Sequence, residues 1–588
     1  MTAPSPELTT TAALRRLLVE APPMRRGLIV TLVLAALGTG TQIIVPVVVQ
    51  QIVDYELLDP AGVDVAGAVR RGSIALGLMF LAVFVRRASL LRLVGAASMG
   101  LSELRVKTFR HLHQLSILHV ESERRGVLVA RVTSDPASIQ DFMDWGGVGM
   151  VIGAAQVVLA MAVMLIYGWQ LALLVFAGVV VYAVLLAWFQ RILQRAHDQV
   201  RLRIAESLAA MGEAISGLPV VRAYGAEAAT LDRVQDVLEE QFRAEFRTGR
   251  LGAFLFSSAE LFAGLITAVV ILVGVVAGGG WGMSAGTLLA FLFLVTLLVE
   301  PVQTLVETLD QAQSAAAGVR RILGVLDEPV DVPDPVDGVV LPDERLDLLF
   351  EGVRFRYPTG DDVLHDVNVA IRAGSRVAVV GETGSGKSTF VKLATRLLDP
   401  TAGEVRLGGV PLTRITFESL RDHVIFVPQE GFLFDATIAD NVRYGKPNAT
   451  NAEVQAAFEE LELGDWLAGL PDGLATQVGE RGGQLSAGER QLVALVRAWI
   501  ADPELLILDE ATSAVDPALE VRLRRAIEHL TERRTSITVA HRLSTAEASD
   551  EVLVFDHGRI VERGAHDDLV AAGGVYAALH ADWMSSTG

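Results

Sequence analysis

The chain contains no cysteine. Disulfides, thiol catalysis and cysteine-ligated metal centres are excluded within it, and so is an appended cysteine peptidase. A basic surplus is missing as well. The net charge is −19, with 24 Lys+Arg against 42 Asp+Glu in residues 331–588 and 26 against 27 in residues 1–330. An acidic surface repels a phosphodiester backbone, so no nucleic acid is expected as a partner. The eleven histidines show no metal-ligand spacing. His111, His113 and His119 are expected on a solvated helical stalk. No internal repeat is visible. No cleavable secretory signal is expected either, because the N-terminus is polar and contains proline and the first apolar segment is full-length.

What the chain has in excess is apolar surface. Hydrophobic residues make up 51% of its 588 positions, and the mean hydropathy is +0.42. That is too apolar for an ordinary soluble enzyme. The excess lies in the first half, where segments near 27–49, 72–96, 146–167, 169–189, 252–278 and 284–307 are each long enough to cross a bilayer as a helix. Six spans are expected, in a multi-pass protein of the inner (plasma) membrane whose surroundings are the lipid bilayer.

The connections alternate in length. Only about three residues, Gly168 to Gln170, separate the third and fourth segments, whereas about fifty and about sixty separate the second from the third and the fourth from the fifth. Those long stretches are charged and poor in glycine and proline, so they read as helices projecting tens of ångströms from the membrane. They carry Arg105, Lys107, Arg110, Arg124, Arg125 and Arg131, then Arg191, Arg195, Arg201 and Arg203; Arg15, Arg16, Arg25 and Arg26 precede the first span. The positive-inside rule puts the N-terminus and both long loops in the cytoplasm. The loop with Asp54, Glu56, Asp59 and Asp64 is expected outside.

Pro329, Pro333 and Pro335 break helical structure and mark a linker. We expect an α-helical six-span transmembrane domain over residues 1–325, a linker over 326–345, and an α/β P-loop ATPase domain over 346–588. The last assignment rests on Gly381-Glu382-Thr383-Gly384-Ser385-Gly386-Lys387-Ser388-Thr389, which follows the apolar run Val377 to Val380 and precedes a helix-like stretch, Phe390 to Leu398. Glycines let the backbone wrap phosphates with its N–H groups pointing inward. Lys387 can reach the β and γ oxygens, and the Ser388 hydroxyl can ligate Mg²⁺. The run Leu505 to Leu508 reads as a buried strand ending in Asp509, placed to hold Mg²⁺, and Glu510, able to polarise a water. ATP and Mg²⁺ are the expected cofactors.

With these residues in place the chain resembles the ATP-binding cassette (ABC) transporters, specifically the exporter-type half-transporter with its membrane domain first. The resemblance runs from about residue 12 to about residue 580. It implies roles for further residues. Tyr357 matches the aromatic that stacks on adenine, Gln429 the glutamine that senses Mg²⁺ and the membrane domain, and His541 the switch histidine at the γ-phosphate. Gly479-Glu480-Arg481-Gly482 is similar to the exporter-specific loop that contacts the intracellular helices, and Asp516 to the end of the loop crossing the dimer interface. Leu485-Ser486-Ala487-Gly488-Glu489 is the family signature in altered form, with Ser486 and Gly488 left to bind a γ-phosphate. Gln114 to Asp135, and Gly217 to Glu227, resemble the stalk turns that rest on ATPase domains.

In the family the signature completes the nucleotide site of an opposing cassette, so one cassette is half of each of two sites. This chain therefore has to pair with a second half-transporter. The resemblance implies alternating access, with ATP hydrolysis driving an amphiphilic small molecule, drug or lipid outward. A heterodimer is favoured, because Ala487 adds a methyl group and Glu489 a carboxylate where the family has glycine and a neutral amide; a homodimer tolerating both is the alternative. Two other functional readings stay open: an importer of a bulky ligand such as a siderophore, and an ATP-gated regulator or channel without pumping. Arg86, Arg87 and Arg92 in the second span and Glu300 in the sixth either contact substrate or pair between helices.

Overall fold

The computed structural model describes residues 9–58, 63–123, 125–342, 346–358, 360–509, 516–532, 534–540 and 543–587. They form two compact units: one within 4–113 and 124–328, the other within 114–123 and 329–588.

The first unit is helical. Its long elements are α1 (Leu28–Ile52), α2 (Val65–Leu112), α3 (Val148–Ser216), α4 (Glu227–Ala277) and α5 (Ala285–Asp327). A helix satisfies every backbone polar group internally, which is what an apolar surrounding demands. Each of the five is long and apolar enough to cross a membrane. The six expected segments map onto five continuous helices because α3 carries two of them. It leaves helical geometry at Gly168 (φ −178°, ψ 95°), the predicted short turn. Ala160 and Met164 before the break and Leu171, Ala172 and Val175 after it enter one buried cluster with Phe291, Leu294 and Leu298 of α5. Elsewhere large apolar side chains such as Phe80, Ile166, Leu261 and Val276 face outward, a surface suited to hydrocarbon.

The polar ends of this unit are tied down. Asp54 Oδ1 accepts the Gly286 N–H (2.9 Å), and Asp64 caps α2 by accepting the Gly67 N–H (2.9 Å). Glu56, buried, pairs with Arg71 at 2.9 Å. The acidic loop is thus a set of caps and anchors, with Asp59 outside the described residues. At the other end Arg203 of α3 meets Glu240 of α4 at 2.6 Å. Asp135 accepts from Arg321 Nε of α5 at 2.9 Å.

The second unit is α/β. One sheet is antiparallel, in the order β2-β1-β4-β5, from β1 (Leu348–Arg356), β2 (Asp362–Ile371), β4 (Ala402–Leu407) and β5 (Val410–Pro411). The other has the order β10-β9-β3-β8-β7-β6, from β3 (Arg376–Gly381), β6 (Val424–Val427), β7 (Leu505–Asp509), β8 (Thr535–Val539), β9 (Glu551–Asp556) and β10 (Arg559–Gly564). It is parallel except for β10. Its inner strands are buried on both faces and read as near-continuous apolar runs. Phe390, stacked on Phe350 (4.4 Å between centroids) and tilted against Phe555 (5.2 Å), joins the two sheets. A short helix, Ile117–Ser122, belongs to this unit. Its Ile117 and Leu118 pack against the core of the two sheets, and the Ser116 hydroxyl donates to Asp331 (2.9 Å). Residues 114–123, expected to form a stalk turn, thus belong to the α/β unit.

Candidate functional site

Parallel pairing brings the chemistry-bearing loops to one edge. Val379 of β3 and Asp509 of β7 both register with Val539 of β8, and Leu508 registers with Val427 of β6. The C-terminal ends of β6, β7, β8 and β3 therefore lie side by side, and a parallel sheet binds ligands at that edge. The glycine-rich loop leaves β3, Asp509 ends β7, and Gln429 follows β6 as an exposed bend. Glu510 directly follows β7 and His541 lies two residues beyond the end of β8, but both lie outside the described residues.

The loop is shaped for phosphates. Gly381 has φ +149°, and a Cβ there would stand 2.2 Å from the Phe555 carbonyl oxygen. Gly386 has φ +104° and caps helix α6 (Lys387–Ala394). Lys387 is buried and donates to the Gly381 and Glu382 carbonyls at 2.7 and 2.8 Å. Burial pulls its ammonium below the usual lysine range, and the charge of Asp509 works against that shift. The buried Ser385 hydroxyl has no hydrogen-bond partner. A cation curled onto its own loop, an orphaned buried hydroxyl and a helix start together fit the phosphates of a nucleotide. Ser388, Glu382, Thr383 and Gly384 are exposed at the rim.

Tyr357 follows β1, half-buried, edge-on to Phe355. Its hydroxyl sits 3.0 Å from Thr389 Oγ1, which ties the expected base-stacking ring to the phosphate helix. That bond spans 32 residues and had no signal in the sequence. Asp516 is exposed at the start of the helix Pro517–Thr531.

The signature opens helix α7 (Ala487–Ala501), with Ser486 as its N-cap. Gly488 is buried and Ala487 exposed. Glu489 ends the signature. Its carboxylate does not project toward a polyanion but turns back to close a capping box: Oε2 accepts from the Ser486 N–H and hydroxyl, both at 2.8 Å, and Oε1 accepts from Trp466 Nε1 at 3.2 Å. Burial opposes its ionisation, but these hydrogen bonds outweigh burial and hold it below the usual glutamate range. The Ser486 hydroxyl is thereby engaged within its own helix.

The helical unit holds a second candidate site. A cavity of about 350 Å³ is lined by Gln42, Arg86, Asp144, Gln156, Glu300 and Thr304. Gln42 Oε1 and Asp144 Oδ1 are buried there without hydrogen-bond partners. Among the described residues no ion pair joins Arg86 to Asp144 or Glu300. Asp144 rides on a π-helical turn, Phe142–Gly147, a distortion frequent at functional sites. Pro301 cannot donate to Leu297 one turn back, and Gln156 Nε2 satisfies that carbonyl at 2.9 Å. An apolar cavity of about 210 Å³, lined by Leu17, Leu32, Leu93 and Phe142 among others, shares Ala35 and Ser89 with the polar one. Of the four ionisable residues singled out in the sequence, Arg86 and Glu300 line this space; Arg87 and Arg92 do not. The other stalk turn, Leu218–Ala223, has no buried residue, and Tyr224 after it is exposed.

Residues 28–302 match the family described as ABC transporter transmembrane region, and residues 364–513 that described as ABC transporter. An uncharacterized ABC transporter ATP-binding protein, YknV of Bacillus subtilis (strain 168), is 30% identical over 97% of this chain and 94% of its own length. A fatty acid ABC transporter ATP-binding/permease protein of Mycobacterium bovis (strain ATCC BAA-935 / AF2122/97) is 32% identical over 88% of this chain and 81% of its own. Among solved structures, that of a bacterial Atm1-family ABC exporter with ATP bound superposes with a TM-score of 0.76 at 26% identity, covering 95% of this chain and 98% of that one.

Proposed function

The chain belongs to the ABC transporter family as an exporter-type half-transporter that couples ATP hydrolysis to transport, and from that premise we propose that it exports a lipid-like or drug-like amphiphile from the cytoplasmic side of the inner membrane. The observation that carries the substrate class is the polar cavity beside an apolar one, with unpartnered buried oxygens on Gln42 and Asp144. A head group with hydrogen-bond donors suits the first and a hydrocarbon tail the second. The fatty acid transporter among the relatives supports the hydrocarbon tail of that class.

In the ATPase unit we assign Lys387, Ser385 and the loop N–H groups to the phosphates, Tyr357 to the base, and Ser388, Asp509 and Gln429 to Mg²⁺. Bound Mg²⁺ would supply charge neutralisation on the phosphates. Glu510 polarises the attacking water and His541 senses the γ-phosphate. Ser486, Gly488 and Asp516 serve a partner's cassette. The partner is proposed to be a different half-transporter, because Ser486 has to give up its bond to Glu489 before it can serve, and Ala487 crowds the approach. The site completed by this signature is then the poorer of the two. The exposed Leu218–Ala223 turn is the surface proposed to rest on that partner.

The test is reconstitution of the chain alone and with a neighbouring half-transporter, reading amphiphile-stimulated ATPase. The expected result is stimulation only in the pair, lost on Asp144→Asn together with Glu300→Gln while unstimulated turnover persists. Full stimulated activity from the chain alone would reject the heterodimer. Stimulation untouched by the double substitution would reject the cavity as the substrate site.

A further inference from the structure

The histidines show no metal spacing in the sequence, yet the fold gathers two of them with a glutamate. We propose that Glu547, His566 and His580 form a binding site for a divalent transition-metal ion such as Zn²⁺ in the ATPase unit, separate from the nucleotide edge. The three come from α8 (Leu543–Glu547), from the first residue of α9 (His566–Ala572), and from α10 (Val575–Thr587). One ligand atom from each lies within 4.8 Å of the other two.

Three details make this more than a chance cluster. His566 has one ring nitrogen committed: Nδ1 stands 2.7 Å from the hydroxyl of Tyr576, whose side chain is fully buried. That bond fixes the ring and presents Nε2 to Glu547, 4.0 Å from its Oε1. Metal-ligating imidazoles are oriented in this way by a partner on the second nitrogen. The set itself, two imidazoles and one carboxylate, suits Zn²⁺ with the fourth position left to water. Glu547 is the exposed member and His566 and His580 are half-buried, so water has access to that position. Finally, ligand bonds of about 2.0–2.1 Å put neighbouring tetrahedral ligands about 3.3 Å apart. The observed separations of up to 4.8 Å exceed that spacing by about 1.5 Å, a difference for the side chains to close on binding.

An ion here would staple the last helix to α8, which begins two residues after His541. Metal occupancy would thus bear on the segment assigned to sense the γ-phosphate. The site stands whether or not the transport reading does, since its test reads metal alone.

The full chain, purified through a tag without histidine and stripped with a chelator, is titrated calorimetrically with Zn²⁺ in the absence of nucleotide. The expected result is one ion per chain. Glu547→Gln, an exposed and structurally mild change, and His580→Ala should each weaken binding at least tenfold. Tyr576→Phe should weaken it by about 10- to 100-fold, as loss of an orienting partner does. His529→Ala, altering a histidine elsewhere in the unit, should leave it unchanged. No stoichiometric binding by the wild type, or equal binding by wild type and Glu547→Gln, would overturn the assignment. Equal loss in His529→Ala would do the same.

Discussion

Lys387 holds a buried ammonium against two carbonyl oxygens of its own loop, so its charge is stored where phosphate oxygens would replace those carbonyls. Removing a charged hydrogen-bonding partner costs about 1.5–3 kcal/mol, so Lys387→Ala is expected to weaken ATP binding by about 10- to 100-fold; equilibrium titration with a non-hydrolysable analogue checks this, and unchanged affinity would refute the cradle. Tyr357 separates ring from hydroxyl. Tyr357→Ala loses stacking worth about 1–3 kcal/mol, whereas Tyr357→Phe keeps the ring and loses only the bond to Thr389, about 0.5–1.5 kcal/mol. Affinity is therefore expected to fall in the order wild type, Phe, Ala, and equal losses would assign the effect to the hydroxyl. The ring was legible in Phe355-Arg356-Tyr357-Pro358. Its bond to Thr389 was not, because a contact across 32 residues exists only once β1 and α6 are packed together.

At the scale of elements, α7 shows how a capping device and a ligand device share residues. Ser486 and Glu489 close the helix start reciprocally, and Trp466 pins the carboxylate from another helix. Glu489→Ala removes the box and is expected to destabilise the ATPase unit by about 1 kcal/mol, read as a lower urea midpoint for its unfolding. Because the folded carboxyl titrates below the usual glutamate range, this contribution is present above the unfolded pKa. It is lost only as pH falls through the lower folded value, so the difference between wild type and Glu489→Ala should persist at neutral pH and vanish in acid. A difference that grew on acidification would contradict the assignment. The sequence showed that the signature was altered, with a carboxylate where the family has a neutral amide. The capping geometry, which follows from a glutamate three residues after a serine N-cap, reverses where that charge points. In the membrane unit Pro301 was visible and its repair was not: Gln156 sits 141 residues before Leu297 and meets its freed carbonyl only after α3 packs on α5.

For the whole molecule, the long apolar segments and the P-loop context were enough to tell a helical membrane part from an α/β part, since both follow from local chain properties. The six apolar segments were read as six spans, and the structure joins two of them through one break at Gly168. What local pattern could not supply were assemblies of distant side chains: Gln42, Arg86, Asp144 and Glu300 around one cavity, and Glu547, His566 and His580 at one corner of the ATPase unit. We propose that hydrolysis at the edge carrying Lys387 and Asp509 drives outward movement of an amphiphile. The most direct measurement is ATP-dependent accumulation of a fluorescent fatty-acyl probe in inside-out vesicles bearing the complete transporter, wild type against Glu510→Gln. Accumulation is expected with wild type and almost none with Glu510→Gln, although the variant still binds ATP. Equal accumulation in both, or rapid hydrolysis by wild type with no accumulation of any probe, would contradict it.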